Sequence, residues 1–412
     1  VGRMGRSRRI ILLLGLSSAL LGGCWDRTEL NELAITSAAA LDVSKNGEWT
    51  LSFQVVIPSS ISAAAGTAGG PSGQVPVVVY STEGETIKEA TSESYMEAPR
   101  KLYFGHNSIL VIGEDAAKKG FSQIVDLYLR NSDSRETVSI LVASGDGRSI
   151  LEQLLSSETI PGIGLERILE KQERYLSKIP NVRMYDLIKK QLSPGRSILI
   201  PEIIISGGKE VTGIDQLKQT TVPSKLRLGR AAIIKETKLV GWMSDDEALG
   251  ISFLSDQVNS STIPFISNPE KKEAKDSTFA VSNSKTRITV RQSEGKYNVT
   301  ADIKVDGWLN ETGSSCNLLD PETIRKMEES VKTEIVNMCK RAWAASKKAN
   351  ADVAGISERI YRKYPKQWKQ MEQDREDVFK KINLQVNVEV NMKKVGLSNK
   401  GYNKLSKKEQ EQ

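Results

Sequence analysis

The sequence predicts a mixed α+β protein of three domains, each a β-sheet flanked by helices, the last a sheet packed on a long amphipathic helix. Three observations lead there. A chain of 412 residues is too long for one comfortable core. Runs with strand and helix periodicity alternate through residues 34–156, the pattern of an α/β layer. The texture then changes twice, to short strands near residue 197 and to long alternating strands near residue 271. These changes divide the chain into 24–196, 197–270 and 271–398. A leading segment 1–23 and a disordered tail 399–412 complete the partition.

The leading segment comes first in the chain. Arg3, Arg6, Arg8 and Arg9 precede twelve mostly apolar residues, Ile10 to Leu21. As a helix this run spans ~18 Å, short of the ~30 Å hydrocarbon core, so it reads as an export signal and not a permanent span. Leu21-Gly22-Gly23-Cys24 has the form of a bacterial lipobox: leucine, two small residues, then cysteine. Cleavage before Cys24 would leave its thiol carrying a diacylglycerol thioether and its amine an acyl chain, and two chains anchor stably where one does not. The alternative is a buried first helix in which Cys24 is merely apolar.

In the first region, "AITSAAALDV" and the alternating Trp49–Ile57 read as a hairpin across "SKNGE". Residues 58–76, rich in Gly, Ala, Ser and Pro, read as a loop and lack the G-x-x-x-x-G-K-[ST] phosphate pattern. Helices are predicted near 84–97, over "DAAKKGFSQIVDLYLRN" in two pieces broken at Gly120, over "GRSILEQLLS", and near 163–178 and 182–192. Strands are predicted at "NSILVIG" and "TVSILVAS", the second apolar enough to be buried on both faces. The second region offers "SILIPEIII" and a hairpin at "AAIIKETKLVGWM". In the third, two alternating strands flank Ser293-Glu294-Gly295. Asp320 caps and Pro321 opens a helix whose apolar stripe runs from Ile324 to Ala349. Two shorter helices follow around Pro365. "LQVNVEVNM" then alternates without a fault and should complete the sheet.

Composition narrows the chemistry. Lys and Arg number 58 against 51 Asp and Glu, a net +7 that falls to +3 without the four leading arginines, weak support for nucleic-acid binding. Three cysteines, Cys24, Cys316 and Cys339, and one histidine, His106, make a zinc enzyme a poor fit. No hydrolase, zinc-protease or dinucleotide motif is present. His106 reads as a structural residue at a strand start more readily than as a general base. "SDDEALG", residues 244–250, reads as a solvated turn, with a calcium site as the sharper alternative. Cys316 and Cys339 read as free thiols, a disulfide being the alternative. The six tryptophans are scattered, and "KRAWAASKK" reads as a solvated helix end. No catalytic, metal or cofactor site is assigned.

"GCWDRTELNELAI", "GETIKEA", "RKLYFGHNSILVIGEDAAKKG", "LVGWMSDDEALG", "GISERIYRKYPKQW" and "VNVEVNMKKVG" occur in this order. Together they resemble the C subunits of spore germination receptors, the Ger(x)C lipoproteins, over residues 22–396. Ala354-Gly355-Ile356 departs from that pattern, which has an aromatic after the glycine. The resemblance implies a non-enzymatic subunit of a nutrient germinant receptor in the spore inner membrane. Its folded domains would lie on the outer face, anchored at Cys24, beside polytopic A and B subunits. It implies no ligand site. The competing reading is a lipid-anchored solute-binding protein of a transporter, which requires two α/β lobes around a deep cleft. An anchored cell-wall hydrolase would need an acid pair or nucleophile that the sequence lacks.

Overall fold

The computed structural model describes Gly5 and residues 29–64, 74–131, 133–267, 274–293, 296–313, 317–370 and 375–394. Cys24, Trp25, Cys316 and the tail 399–412 lie outside the described residues.

β1 (Leu33–Val43) and β2 (Trp49–Val56) form the predicted antiparallel hairpin. It is closed by Ser44 N–H donating to the Glu48 carbonyl at 2.9 Å, with Gly47 supplying a φ of +86°. A helix, α1 (Pro58–Ala64), occupies the start of the segment expected to be a loop. Pro58 opens it with a preset φ, and the alanines that suggested low complexity are strong helix formers. β3 (Val77–Gly84) pairs with β2. α2 (Ile87–Glu97) starts in a capping box: Thr86 Oγ1 accepts from Glu89 N–H at 3.1 Å, and the Glu89 carboxylate accepts from Thr86 N–H at 3.4 Å.

β4 (Lys101–Tyr103) and β5 (Ile109–Ile112) follow, then α3 (Glu114–Lys119) and α4 (Ser122–Arg130), broken at Gly120 as expected. Next come β6 (Ser139–Ala143), α5 (Gly147–Glu152), α6 (Pro161–Tyr175), α7 (Met184–Gln191), β7 (Ser197–Gly207) and the short α8 (Ile214–Leu217). β8 (Ser224–Lys235) and β9 (Lys238–Met243) make the second predicted hairpin. α9 (Asp245–Leu254) and β10 (Ser261–Phe265) lead to the long pair β11 (Ser277–Ser293) and β12 (Lys296–Thr312). The described residues end with α10 (Pro321–Lys348), α11 (Ile356–Lys363), α12 (Pro365–Gln370), α13 (Arg375–Lys381) and β13 (Asn383–Lys394).

Among the described residues the strands form two sheets. The first has nine strands in the order β3-β2-β1-β5-β6-β7-β8-β9, with β4 beside β1. β1, β5, β6 and β7 are parallel, and hairpins extend both edges. The central strands are buried on both faces, as the apolar run of β6 required. Leu41, Phe53 and Ile112 pack under α2, α3, α4 and α7, while Ala40, Val111 and Leu141 pack against α5 and α6. The second sheet has the order β10-β11-β12-β13, with β13 parallel to β12 because α10 to α13 form its crossover.

The strands of 197–270 therefore make no third sheet. The reason lies in β7: its apolar run Ile198–Ile205 pairs with β6 on one side and β8 on the other, so the first sheet simply continues. β10 alternates buried and exposed and pairs with β11 instead. One core spans the junction, joining Leu199, Ile233 and Met243 of the first sheet to Phe253 and to Val299, Ile335 and Met338 of the C-terminal part. Among the described residues, no helix is long and apolar enough to cross a membrane.

Candidate functional site

In parallel α/β sheets ligands commonly sit at the carboxyl ends of the strands, against helix N-termini. Here that edge is filled by the protein's own carboxylates. Asp42, near the end of β1, accepts from Gly147 N–H at 2.7 Å and Arg148 N–H at 3.1 Å, at the start of α5. Asp146 caps the same helix through Ser149 N–H at 2.8 Å. Gly113 crosses so close that a Cβ there would meet Asp42 Oδ1 at 1.9 Å. Burial pushes the Asp42 carboxyl up to about 6 against the pull of the Gly147 and Arg148 amides, and the nearby charges of Asp146 and Asp115 push the same way as burial. This carboxylate ties the β1, β5 and β6 loops together and leaves the α5 amides no free capacity.

Three strands further, Glu202 on β7 is a buried carboxylate, 2% exposed. It accepts from Arg230 of β8 three times: from the backbone N–H at 2.7 Å, Nε at 3.1 Å and Nη2 at 2.6 Å. The guanidinium stacks on Trp242 of β9, 4.4 Å from the ring centre. The arrangement is a cross-strand clamp, fully satisfied, at the point where the sheet switches from parallel to antiparallel pairing.

A cleft of ≈ 710 Å³ lies between the α6–α7 connection, α9 and α11. Its inner wall is pinned by Ser177, whose Oγ accepts from Asn259 N–H at 3.2 Å and Ser260 N–H at 3.3 Å. Lys190 of α7 reaches Glu358 of α11 at 4.0 Å across it. The walls carry charges of both signs, and Ser177 and Asp256 hold positive φ there.

The residues singled out in the sequence do not converge. Cys24 and Cys316 fall outside the described residues. His106 is exposed and stands edge-on to Tyr103 at 5.7 Å. "SDDEALG" is not a solvated turn but the start of α9. Ser244 Oγ accepts from Glu247 N–H at 3.3 Å, the Glu247 carboxylate accepts from Ser244 N–H at 2.9 Å, and the three acids sit in the first turn, where the helix dipole favours them. Cys339 is free and buried, with its thiol pushed up to about 12 by burial. Among the described residues no group of three or more His, Cys, Asp and Glu is placed to hold a metal ion. Sequence reasoning missed Asp42 and the Glu202–Arg230 clamp. The available signal was a lone acid inside the apolar run "SILIPEIII".

Two family models match in order: the spore germination protein N-terminal domain over residues 26–205, and the spore germination B3/GerAC-like C-terminal domain over 229–396. The chain belongs to the family of spore germination receptor C subunits. Spore germination protein KC of Bacillus subtilis (strain 168) is 28% identical over 404 residues, covering 96% of this chain and 98% of that protein. Spore germination proteins B3 and A3 of the same strain are 21% and 22% identical, over 89% and 96% of this chain and 92% and 99% of theirs. The crystal structure of the GerBC protein matches with a TM-score of 0.54 at 18% identity, covering 89% of this chain and 100% of that one, so the fold is shared.

The family blocks now have physical content. "RKLYFGHNSILVIGEDAAKKG" carries β4, β5, Gly113 and α3, and so supplies the glycine that lets the chain pass beside Asp42. "LVGWMSDDEALG" runs from the Trp242 that receives Arg230 to Gly250, where α9 meets α10.

Proposed function

We propose that this protein is the lipid-anchored C subunit of a nutrient germinant receptor. Cys24, acylated after removal of residues 1–23, would hold it on the outer face of the spore inner membrane. There it supports assembly with polytopic A and B subunits and passes on the signal that starts germination, without catalysing a reaction. The observation that carries this reading is the match of both family models in order, beginning at residue 26, two residues past the lipobox cysteine. The clamps at Asp42 and Glu202 fit a part built for shape: their polar capacity is spent within the fold.

The solute-binding alternative expects two α/β lobes. The second sheet here has four strands, antiparallel apart from its last pair, so the halves are not repeats of one lobe.

The test is co-purification from spore membranes of wild type and Cys24→Ala. The wild type should fractionate with membrane and bring down both polytopic subunits, and Cys24→Ala should leave the membrane fraction. If neither form brings down a polytopic partner, the receptor reading fails.

A further inference from the structure

The outer surface beyond the cleft has an uneven chemistry. α7 and its C-cap residue present Tyr185, Lys189 and Leu192 at i, i+4 and i+7, one helical face, and all three are exposed; Leu192 is 84% exposed and Tyr185 55%. Across the cleft, α11 and α12 carry Arg359, Arg362, Lys363, Lys366 and Lys369 against a single acid, Glu358. Tyr361 is exposed among them. Lys189 and Arg359 both line the cleft, so the two helices form one continuous rim. Lys189, Arg359, Lys366 and Lys369 pair with no carboxylate of the described residues, whereas Glu358 is taken by Arg362 at 2.5 Å and faces Lys190. Trp368 turns inward on α12 and leaves Lys366 and Lys369 to the outside.

The far end of the molecule has the opposite sign. α2 and the residues leading into it expose Glu83, Glu85, Glu89, Glu93 and Glu97 against Lys88. α2 packs on β2 and β3 and α7 packs on β7, four to five strand spacings apart, about 19–24 Å at ~4.8 Å per strand. The two patches thus carry opposite charge, and exposed apolar side chains stand at both, Tyr185, Leu192 and Tyr361 at the basic one and Tyr95 and Met96 at the acidic one, so charge is what distinguishes them.

We infer that the α7/α11–α12 surface docks on anionic lipid headgroups and sets the orientation of the folded chain on the membrane. Unpaired cations attract the negative surface, Leu192 and the two tyrosines enter the headgroup layer, and the acidic α2 end is turned away. The inference rests on the membrane location proposed above. A lipid anchor at Cys24 fixes distance but leaves rotation free; the basic rim removes that freedom.

The experiment uses vesicles and the unacylated chain 25–412. Among the described residues every member of the hydrophobic cores lies between Ala34 and Met392, so this chain keeps them all. It should cosediment with phosphatidylcholine vesicles holding about one third phosphatidylglycerol, not with pure phosphatidylcholine, and release as salt rises from about 0.1 to 0.5 M. Each cation contributes about fivefold, so Lys189→Glu/Arg359→Glu/Lys366→Glu/Lys369→Glu should bind at least tenfold more weakly with an unchanged unfolding midpoint. Leu192→Ser, which cannot disturb a core, should bind severalfold more weakly. Equal binding to both vesicles, binding to neither, or undiminished binding by the folded quadruple variant overturns the proposal. If that variant binds vesicles normally yet loses the polytopic subunits in co-purification, the rim is a protein contact instead. No lipid anchor enters the assay, so it can fail while Cys24 anchoring stands, and the reverse.

Discussion

At Gly250 α9 lies directly against the α10 backbone, and Gly250→Ala should lower stability although alanine is the better helix former. A Cβ at Gly250 would lie 2.5 Å from the Met338 carbonyl oxygen, 2.8 Å from its carbon and 2.9 Å from Ala342 Cβ. Two of these atoms are α10 backbone and cannot rotate away, so α9 and α10 must separate by most of an ångström. Overpacking of this kind costs ~1–3 kcal/mol, here toward the upper end, and the gain in helix propensity returns about 1 kcal/mol. The net loss is about 1–2 kcal/mol, or roughly 1–3 °C in Tm for a unit of this size. Gly250→Val lacks most of the propensity gain and adds two carbons, so it should fall further. Gly241→Ala is the control: its Cβ would find only Ile233 Cδ1 at 3.5 Å and Ala349 Cβ at 4.0 Å, ordinary contacts. Thermal unfolding followed by circular dichroism at 222 nm, with urea midpoints alongside, reads the difference. A Gly250→Ala midpoint at or above wild type, or an equal fall in Gly241→Ala, would refute the argument.

Arg230→Ala should cost about 3 kcal/mol in urea unfolding, since it strips the guanidinium from the buried Glu202 carboxylate; the half-exposed arginine keeps the cost at the low end. Glu202→Gln/Arg230→Met, which removes both charges, should recover most of that loss. For Asp42, whose folded carboxyl is held at about 6 against the ordinary 3.8, the unfolded chain releases its proton first as pH rises. Its contribution is therefore fully present below about pH 4 and lost through pH 6, some 3 kcal/mol at ~1.4 kcal/mol per unit. The stability difference between wild type and Asp42→Asn should slope across pH 4–6 and flatten above it; a flat difference throughout would count against the buried charge. Cys339, in a chain with Cys24→Ala and Cys316→Ser, should react with iodoacetamide at pH 8 about a thousandfold more slowly folded than in urea, because burial holds it as the thiol.

The sequence revealed those elements whose pattern is set locally. The β1–β2 hairpin was visible in "SKNGE", the α3–α4 break in Gly120, the start of α10 in Asp320-Pro321, and β13 in its unbroken alternation. It misjudged places where the same composition serves two structures. Alanine and serine after Pro58 suggested a loop and form α1; Ser244 followed by three acids suggested a turn and forms a capping box. Sheet membership was the larger gap. An apolar run says that β7 is buried on both faces but not which strands lie beside it, and that choice is made by β6 and β8. The polar clamps were hidden for a related reason. Asp42 and Arg148 are 106 residues apart, and only the packed sheet brings them together.

The two family models end and begin at residues 205 and 229, and that gap is not a structural seam. β7 lies in the first and most of β8 at or beyond the second, yet Ile198 pairs with Ile234 and Ile200 with Ala232 across it. The Glu202–Arg230 clamp joins the same two strands. α9 then carries the core forward: Leu249 and Phe253 bury between the first sheet and α10, with Cys339 Sγ 3.7 Å from the Gly250 carbonyl. A displacement of the second sheet cannot leave the first untouched, because Met243, Leu249 and Met338 share one apolar core with no polar boundary through it. That continuity is the physical route by which a push on one sheet reaches the other.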